Sequence, residues 1–290
     1  VGRCERSGDN VSQGKYFRSA PLIFLHGWGS TAKIWQRQAT YFTATRRPVL
    51  VPDYLLQTCR GPSFFITPLT LNNLTDELFA LCRRRSLSAV HLIGWSLGGM
   101  IALKFAFRFP DLVNSITLVA TTPKFVADDS FPDGIGRGEL RLLRSRLLRD
   151  RLFAFSSFHQ LLFADQELSE PLVLKIRDLL KTDQPISDQA LVEGLNILED
   201  EDLRPHLPYI KSPALIIHGQ KDRLCPVAAA HYLHQQMPRS QLRILPDCGH
   251  IPFLTREEEF NQILEEFLQY LEAKASLGLK DSLRVNNEDQ

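Results

Sequence analysis

His91-Leu92-Ile93-Gly94-Trp95-Ser96-Leu97-Gly98-Gly99-Met100 is the stretch whose reading decides the fold of this chain. The apolar run Ala89 to Ile93 predicts a buried strand and Met100 to Phe109 a helix, which leaves few residues to reverse the chain. Gly94, Ser96 and Gly98 fit the pattern G-x-S-x-G, in which a serine sits on a strained strand-to-helix turn. Glycine on either side lets strand and helix backbones pass closely without Cβ clashes. The turn holds the hydroxyl at the carboxyl edge of a sheet, beside a helix N-terminus. There the backbone N–H of Leu97 is open to a developing oxyanion. Three fixed positions match by chance in roughly one chain in ten of this length. The rest of the chain therefore has to supply a base, an acid and a second oxyanion donor.

Outward from that stretch, strand and helix patterns alternate. Pro21 to Leu25 reads as a buried strand ending in His26-Gly27-Trp28-Gly29-Ser30, followed by an amphipathic segment, Thr31 to Phe42. Pro48 to Asp53 is a second short strand, and Leu71, Leu74, Leu78 and Leu81 give Leu71 to Arg85 a helical face. A further strand, Ser115 to Ala120, follows the serine helix. Residues 123 to 200 break the rhythm with Leu- and Phe-rich helical stretches and no strand. The strand pattern resumes at Pro213 to Gly219 and at Gln241 to Leu245, and an amphipathic helix runs from Thr255 to Ala273. The expected fold class is α/β: a mostly parallel central sheet flanked by helices, with an all-helical cap inserted after the strand following the nucleophile. The expected division is a polar N-terminal segment 1–20, a core of 21–122 and 201–275, a cap of 123–200 and a polar tail 276–290.

Composition limits the function classes. The 290 residues are 44% apolar and 23% charged with a net charge of +1, so bulk charge favours neither nucleic acid nor a membrane surface as partner. No apolar run approaches the roughly 18 residues needed to span a bilayer. The first twenty residues are polar and lack the apolar core of a signal peptide. Five cysteines without a C-x-x-C pair read as reduced thiols, so a soluble, cytoplasmic monomer is expected.

A serine hydroxyl needs a base to take its proton, and the base is usually oriented by a carboxylate, in the chain order Ser, Asp or Glu, His. His250, in the loop Pro246-Asp247-Cys248-Gly249-His250-Ile251-Pro252-Phe253 after the last strand, stands where a base would be presented. Of the other histidines, His91 and His218 read as core residues, His231 and His234 as solvated neighbours on one helix face, and His159 and His206 carry no signal. Asp222, in Gly219-Gln220-Lys221-Asp222, is the favoured acid, because a strand-end turn can reach an imidazole on the next strand-end loop. Asp247 reads as a turn former, Asp53 precedes the serine against the expected order, and the run Glu199 to Asp202 reads as a solvated face. The turn His26-Gly27-Trp28-Gly29 supplies the other oxyanion donor, assigned to the backbone N–H of Trp28 with its indole lining the acyl pocket. The catalytic candidates are thus Ser96, Asp222 and His250, with Trp28 and Leu97 at the oxyanion hole and no metal or organic cofactor required.

These motifs resemble those of the α/β-hydrolase superfamily from about residue 21 to 272. More narrowly, Gly94-Trp95-Ser96-Leu97-Gly98-Gly99, Val119-Ala120-Thr121-Thr122-Pro123, Gly194-Leu195-Asn196-Ile197-Leu198 and Asp202-Leu203-Arg204 are similar to the pimeloyl-acyl-carrier-protein methyl ester esterases of biotin synthesis. That resemblance implies hydrolysis of a methyl ester at the far end of a carrier-bound pimeloyl chain. The chain departs from the superfamily after Asp53, where Tyr54-Leu55-Leu56-Gln57-Thr58-Cys59 replaces the usual Pro-Gly-x-Gly turn. The alternatives are a broad carboxylesterase, a thioesterase or a carbon–carbon bond hydrolase on the same scaffold, or a non-catalytic receptor.

The cap carries one further signal. Arg137, Arg141, Arg144, Arg146, Arg149 and Arg151 face only Glu139 and Asp150 within the same stretch. On one helix Arg137, Arg141, Arg144 and Arg151 would share a face beside Leu140, Leu143 and Leu147. The leucines would cover the pocket, with Leu143, Arg141 and Arg144 as substrate-binding candidates. Through the resemblance, the arginines would dock an acidic acyl carrier protein.

Overall fold

The computed structural model describes residues 20–54, 68–165, 167–180 and 186–277. Most of the polar N-terminal segment, most of the tail, the loop after Tyr54, and Cys4 and Cys59 lie outside the described residues.

Among the described residues six strands form one sheet in the order β2-β1-β3-β4-β5-β6, and every neighbouring pair runs parallel. They are β1 (Leu22–Leu25), β2 (Val49–Leu50), β3 (Val90–Trp95), β4 (Val113–Val119), β5 (Ala214–Gly219) and β6 (Ser240–Leu245). Parallel strands need crossovers, and helices supply them. These include α1 (Gln36–Ala44), α2 (Leu71–Arg84), α3 (Leu97–Arg108) and α8 (Val227–Gln236), while the short α9 (Pro252–Thr255) and α10 (Glu257–Ser276) follow β6. Helix α2 follows the predicted leucine spacing, with Leu71, Leu74, Leu78 and Cys82 buried. Its first turn is capped by Thr70, whose hydroxyl accepts from the Asn73 N–H, an interaction worth about 1 kcal/mol. Every residue of β1, β3 and β5 is buried, as expected of strands covered on both faces.

The insertion between β4 and β5 carries α4 (Arg137–Arg149), α5 (Arg151–Gln160), α6 (Glu170–Leu180) and α7 (Asp188–Asp200). The arginine-rich stretch is not one helix. Asp150 leaves helical geometry and caps α5 by accepting from the Phe153 N–H, so Arg151 opens a new helix and shares no face with Arg137, Arg141 and Arg144.

Helix α3 begins three residues earlier than the periodicity predicts, at Leu97, and all but Lys104, Phe107 and Arg108 are buried. It can lie this deep because Gly98 has no side chain. A Cβ there would stand 2.2 Å from the carbonyl oxygen of Leu25 in β1 and 2.6 Å from that of His26.

At the opposite, amino-terminal end of the same strands, His91 Nδ1 and Ser115 Oγ are hydrogen-bonded at 2.7 Å. Burial first, and then the charge of Arg47, lower the His91 pKa from 6.5 to about 4. His91 is therefore a neutral core residue, as its strand position suggested.

Two outcomes follow from these packing relations. Gly98→Ala forces backbone atoms apart and should lower stability by about 1–3 kcal/mol, read as thermal unfolding; an unchanged Tm would refute the contact. The folded-state pKa of His91 is depressed, so its contribution to stability is complete above the unfolded value of about 6.5 and is lost as pH falls towards about 4. Between pH 7.5 and 5 the wild type should lose about 2 kcal/mol more than His91→Gln in urea unfolding. Equal losses would show that His91 is not the responsible group.

Candidate active site

Strand β3 ends at Trp95 and α3 starts at Leu97, so Ser96 alone turns the chain. It does so at φ 55°, ψ −118°, in the half of backbone space that L-residues rarely enter. Neighbouring strand ends hold it there. The Ser96 N–H donates to the Val119 carbonyl at 2.9 Å, and Thr121 Oγ1 donates to the Ser96 carbonyl at 2.6 Å. From Val90 to Met100 only Ser96 is partly exposed. The Leu97 N–H, first in α3, has no carbonyl four residues back to receive it.

Strand β5 ends at Gly219 and the following turn presents Asp222. Its Oδ1 accepts from the Leu224 and Cys225 N–H groups, both at 2.9 Å, and its Oδ2 accepts from His250 Nδ1 at 2.7 Å. A carboxylate only accepts, so the Nδ1 of His250 carries the proton and Nε2 is left as the acceptor. Burial alone would raise the Asp222 pKa. The charge of His250 and hydrogen bonds from His218 and His250 outweigh it and hold the carboxyl well below its usual range. His250 also lies against the serine turn: Trp95 Nε1 donates to the His250 carbonyl at 2.8 Å.

His218 is buried, with Nε2 donating to the Cys225 carbonyl at 2.7 Å and standing 3.3 Å from Asp222 Oδ2. Its reading as a core histidine missed this contact; the four-residue spacing to Asp222 is the signal that could have found it. Two further Ser–His pairs exist, His91 with Ser115 and His234 with Ser240 at 2.9 Å. Ser240 is the first residue of β6 and His91 lies at the start of β3. Both pairs therefore sit at the amino-terminal edge of the sheet, across its width from Ser96.

Strand β1 leads into the loop carrying Trp28. The indole Nε1 donates to the Leu191 carbonyl of α7 at 2.8 Å, stacks on Phe155 and meets Phe158 edge-on. Trp28 is 4% exposed, with its ring locked into the cap. The ring of His26 stacks on Tyr54, whose hydroxyl donates to the His26 carbonyl.

The other sequence candidates separate. Leu143 is half-buried against the apolar cluster that contains Trp28. Arg141 is exposed on α4. Arg144 does not face outward: it pairs with Glu199 at 2.7 Å and bonds Asn196, both on α7. Arg137 pairs with the same carboxylate at 3.0 Å, and Arg151 with Asp188 at 2.8 Å. The run Glu199 to Asp202 is thus not a bare solvated face, since Glu201 pairs with Lys104 and Asp202 with Arg204. Asp247 is a turn residue at φ 56°, paired with exposed Lys221. Asp53 accepts from the Ala32 N–H. Cys82, Cys225 and Cys248 are free and buried, and burial pushes each thiol up. Among the described residues no cluster of three His, Cys, Asp or Glu could hold a metal ion, and no helix is long and apolar enough to cross a membrane.

Comparison with known proteins agrees with this geometry. A family model described as an alpha/beta hydrolase fold matches residues 20–257. The pimeloyl-(acyl-carrier protein) methyl ester esterase of Nitrosomonas europaea is 32% identical over 241 residues, 82% of this chain and 92% of the relative. The protein of the same name from Chromobacterium violaceum is 30% identical, covering 86% of this chain and 94% of the relative. An esterase from Exiguobacterium antarcticum superposes with a TM-score of 0.77 at 27% identity, covering 86% of this chain and 92% of that one. The chain belongs to the α/β-hydrolase family and is an enzyme of its serine-esterase type, homologous to several bacterial pimeloyl-acyl-carrier methyl ester esterases.

Proposed function

We propose that the chain hydrolyses carboxylic esters of varied acyl groups, with Ser96 as nucleophile, His250 as general base and Asp222 as the acid that orients it. The 2.7 Å hydrogen bond from His250 Nδ1 to Asp222 carries this reading, because it leaves Nε2 free to accept a proton. In the first step His250 takes the Ser96 proton, the oxygen attacks the ester carbonyl, and the imidazolium protonates the departing alcohol. Water then repeats the sequence on the acyl-enzyme. The N–H groups of Leu97 and Trp28 would hold the tetrahedral oxyanion, each contributing about 3–4 kcal/mol.

A broad acyl range is favoured by the cap. Three of the six arginines that would recognise a carrier protein are engaged inside it, Arg137 and Arg144 on Glu199 and Arg151 on Asp188. The narrower reading, the methyl ester of pimeloyl-acyl carrier protein, is supported by the relatives' names and by the outer positions of Arg141, Arg146 and Arg149. On that reading the carrier protein is the partner and Arg141 a docking residue. The half-buried Leu143 would border the acyl chain.

Ser96→Ala should lower kcat by about 10⁶ and Asp222→Asn by roughly 10⁴, each in a folded protein. More than a tenth of wild-type ester hydrolysis in the serine variant would end the triad reading. Specificity is read from a panel of free short- and medium-chain esters beside the carrier-bound methyl pimeloyl ester. The broad reading expects kcat/KM within about tenfold across the panel, a spread of roughly 1.4 kcal/mol in transition-state binding. A strong preference for the carrier-bound ester, reduced by added salt and by Arg141→Glu, would establish the narrower one. Arg144→Glu should weaken all esters alike, because it breaks a contact within the cap.

A further inference from the structure

Between α5 and α6 the chain runs backbone to backbone along the loop that carries His250. Leu162, Phe163 and Ala164 are buried there. A Cβ on Gly249 would lie 2.6 Å from both the Ala164 nitrogen and the Leu162 oxygen, so no side chain fits between the two segments. The Leu162 carbonyl accepts from the His250 N–H at 2.8 Å. One residue upstream, the Gly249 N–H donates to Glu167 Oε2 at 3.0 Å, and the same oxygen accepts from Ala164 N–H at 2.8 Å. The other oxygen, Oε1, is buried with no hydrogen-bond partner among the described residues.

Glu167 is half-buried, and its charge also bears on the buried Cys248 thiol of the loop that carries His250. Its carboxylate makes two charge-assisted bonds to backbone N–H groups, stronger than those of a neutral acceptor. One of those groups belongs to the residue directly before His250. The main chain of His250 is therefore gripped on three sides: Glu167 before it, Leu162 at its N–H, and Trp95 Nε1 at its carbonyl. Asp222 fixes the ring's rotation but not where the loop stands.

We propose that Glu167, a residue of the cap, is a positioning residue for His250, fixing the loop backbone so that the imidazole stays in reach of Ser96 while bonded to Asp222. The proposal rests on His250 being the base. Glu167 touches neither substrate nor reacting atoms; it acts through Gly249. Loss of the carboxylate frees the Gly249 N–H and lets the histidine loop drift. A displacement of about 1 Å can cost 10²-fold in rate without altering how substrate binds.

The test uses the full chain and a short p-nitrophenyl ester, with Glu167→Ala, Glu167→Gln and His250→Ala beside wild type. Glu167→Ala should lower kcat by about 10- to 100-fold with KM within about twofold. Glu167→Gln, which keeps an acceptor oxygen at the same reach, should restore kcat to within about threefold of wild type. If Glu167→Ala does not fold, Glu167→Asp, one methylene too short to span the gap, should show the same kcat loss. A lowered Tm with kcat unchanged would overturn the proposal and leave Glu167 a structural residue. A raised KM with intact kcat would overturn it too, placing Glu167 at the substrate. Activity surviving in His250→Ala would instead sink the assignment of the base on which the proposal stands.

Discussion

The approach of α3 to β1 is the contact on which the remaining geometry depends. Gly98 lies so near the Leu25 and His26 carbonyls that no Cβ can be placed on it. That closeness leaves a single residue to turn from β3 into α3, which forces Ser96 to φ 55° and lifts its side chain out of an otherwise buried run. The same contact sets the first turn of α3 beside the loop that follows β1. The unusual backbone of Ser96, the candidate nucleophile, is thus a consequence of one backbone contact.

The cap is built into this arrangement. Helix α7 receives the Trp28 indole at Leu191 and, through Glu193, the Leu69 N–H. The link between α5 and α6 receives the main chain of His250 and Gly249. Arg137 and Arg144 then fasten α4 to α7 through Glu199. Exposed ion pairs are individually weak, about 0–1 kcal/mol each. Glu199 is largely shielded and shared between two arginines, which favours a fixed mutual position of the two helices.

What was legible in the sequence was local. The G-x-S-x-G turn, the glycine-rich loop after β1, and the strand-end positions of Asp222 and His250 each depend on residues close together in the chain. The parallel sheet followed from periodicity, but element bounds moved: the strand expected over Pro48 to Asp53 shrinks to Val49–Leu50, and α3 opens at Leu97 because its first turn is apolar glycine and leucine with no separate start signal. The cap was less legible because its decisive contacts are distant in sequence. Six arginines looked like a docking face and a run of acids like a solvated one, yet Arg144 and Glu199, 55 residues apart, are partners. The helix break at Asp150 was written locally, as an aspartate three residues before the N–H it caps, but a continuous arginine–leucine pattern hid it. Nothing in the sequence around Glu167 marks its 82-residue reach to Gly249.

The environment of Asp222 separates the roles within the site. Two backbone N–H groups occupy one carboxylate oxygen, while His250 bonds the other at 2.7 Å and His218 stands 3.3 Å from it. So many donors stabilise the ionised form against burial, and a carboxylate kept ionised cannot take the imidazole's Nδ1 proton. His218 donates its own Nε2 proton chiefly to the Cys225 carbonyl, where the bond is shorter, and its Nδ1 has no partner among the described residues. It can therefore support Asp222 without displacing His250, which holds the shorter bond to the same oxygen. Proton exchange in the proposed reaction is therefore left to Nε2, on the far side of the His250 ring from Asp222.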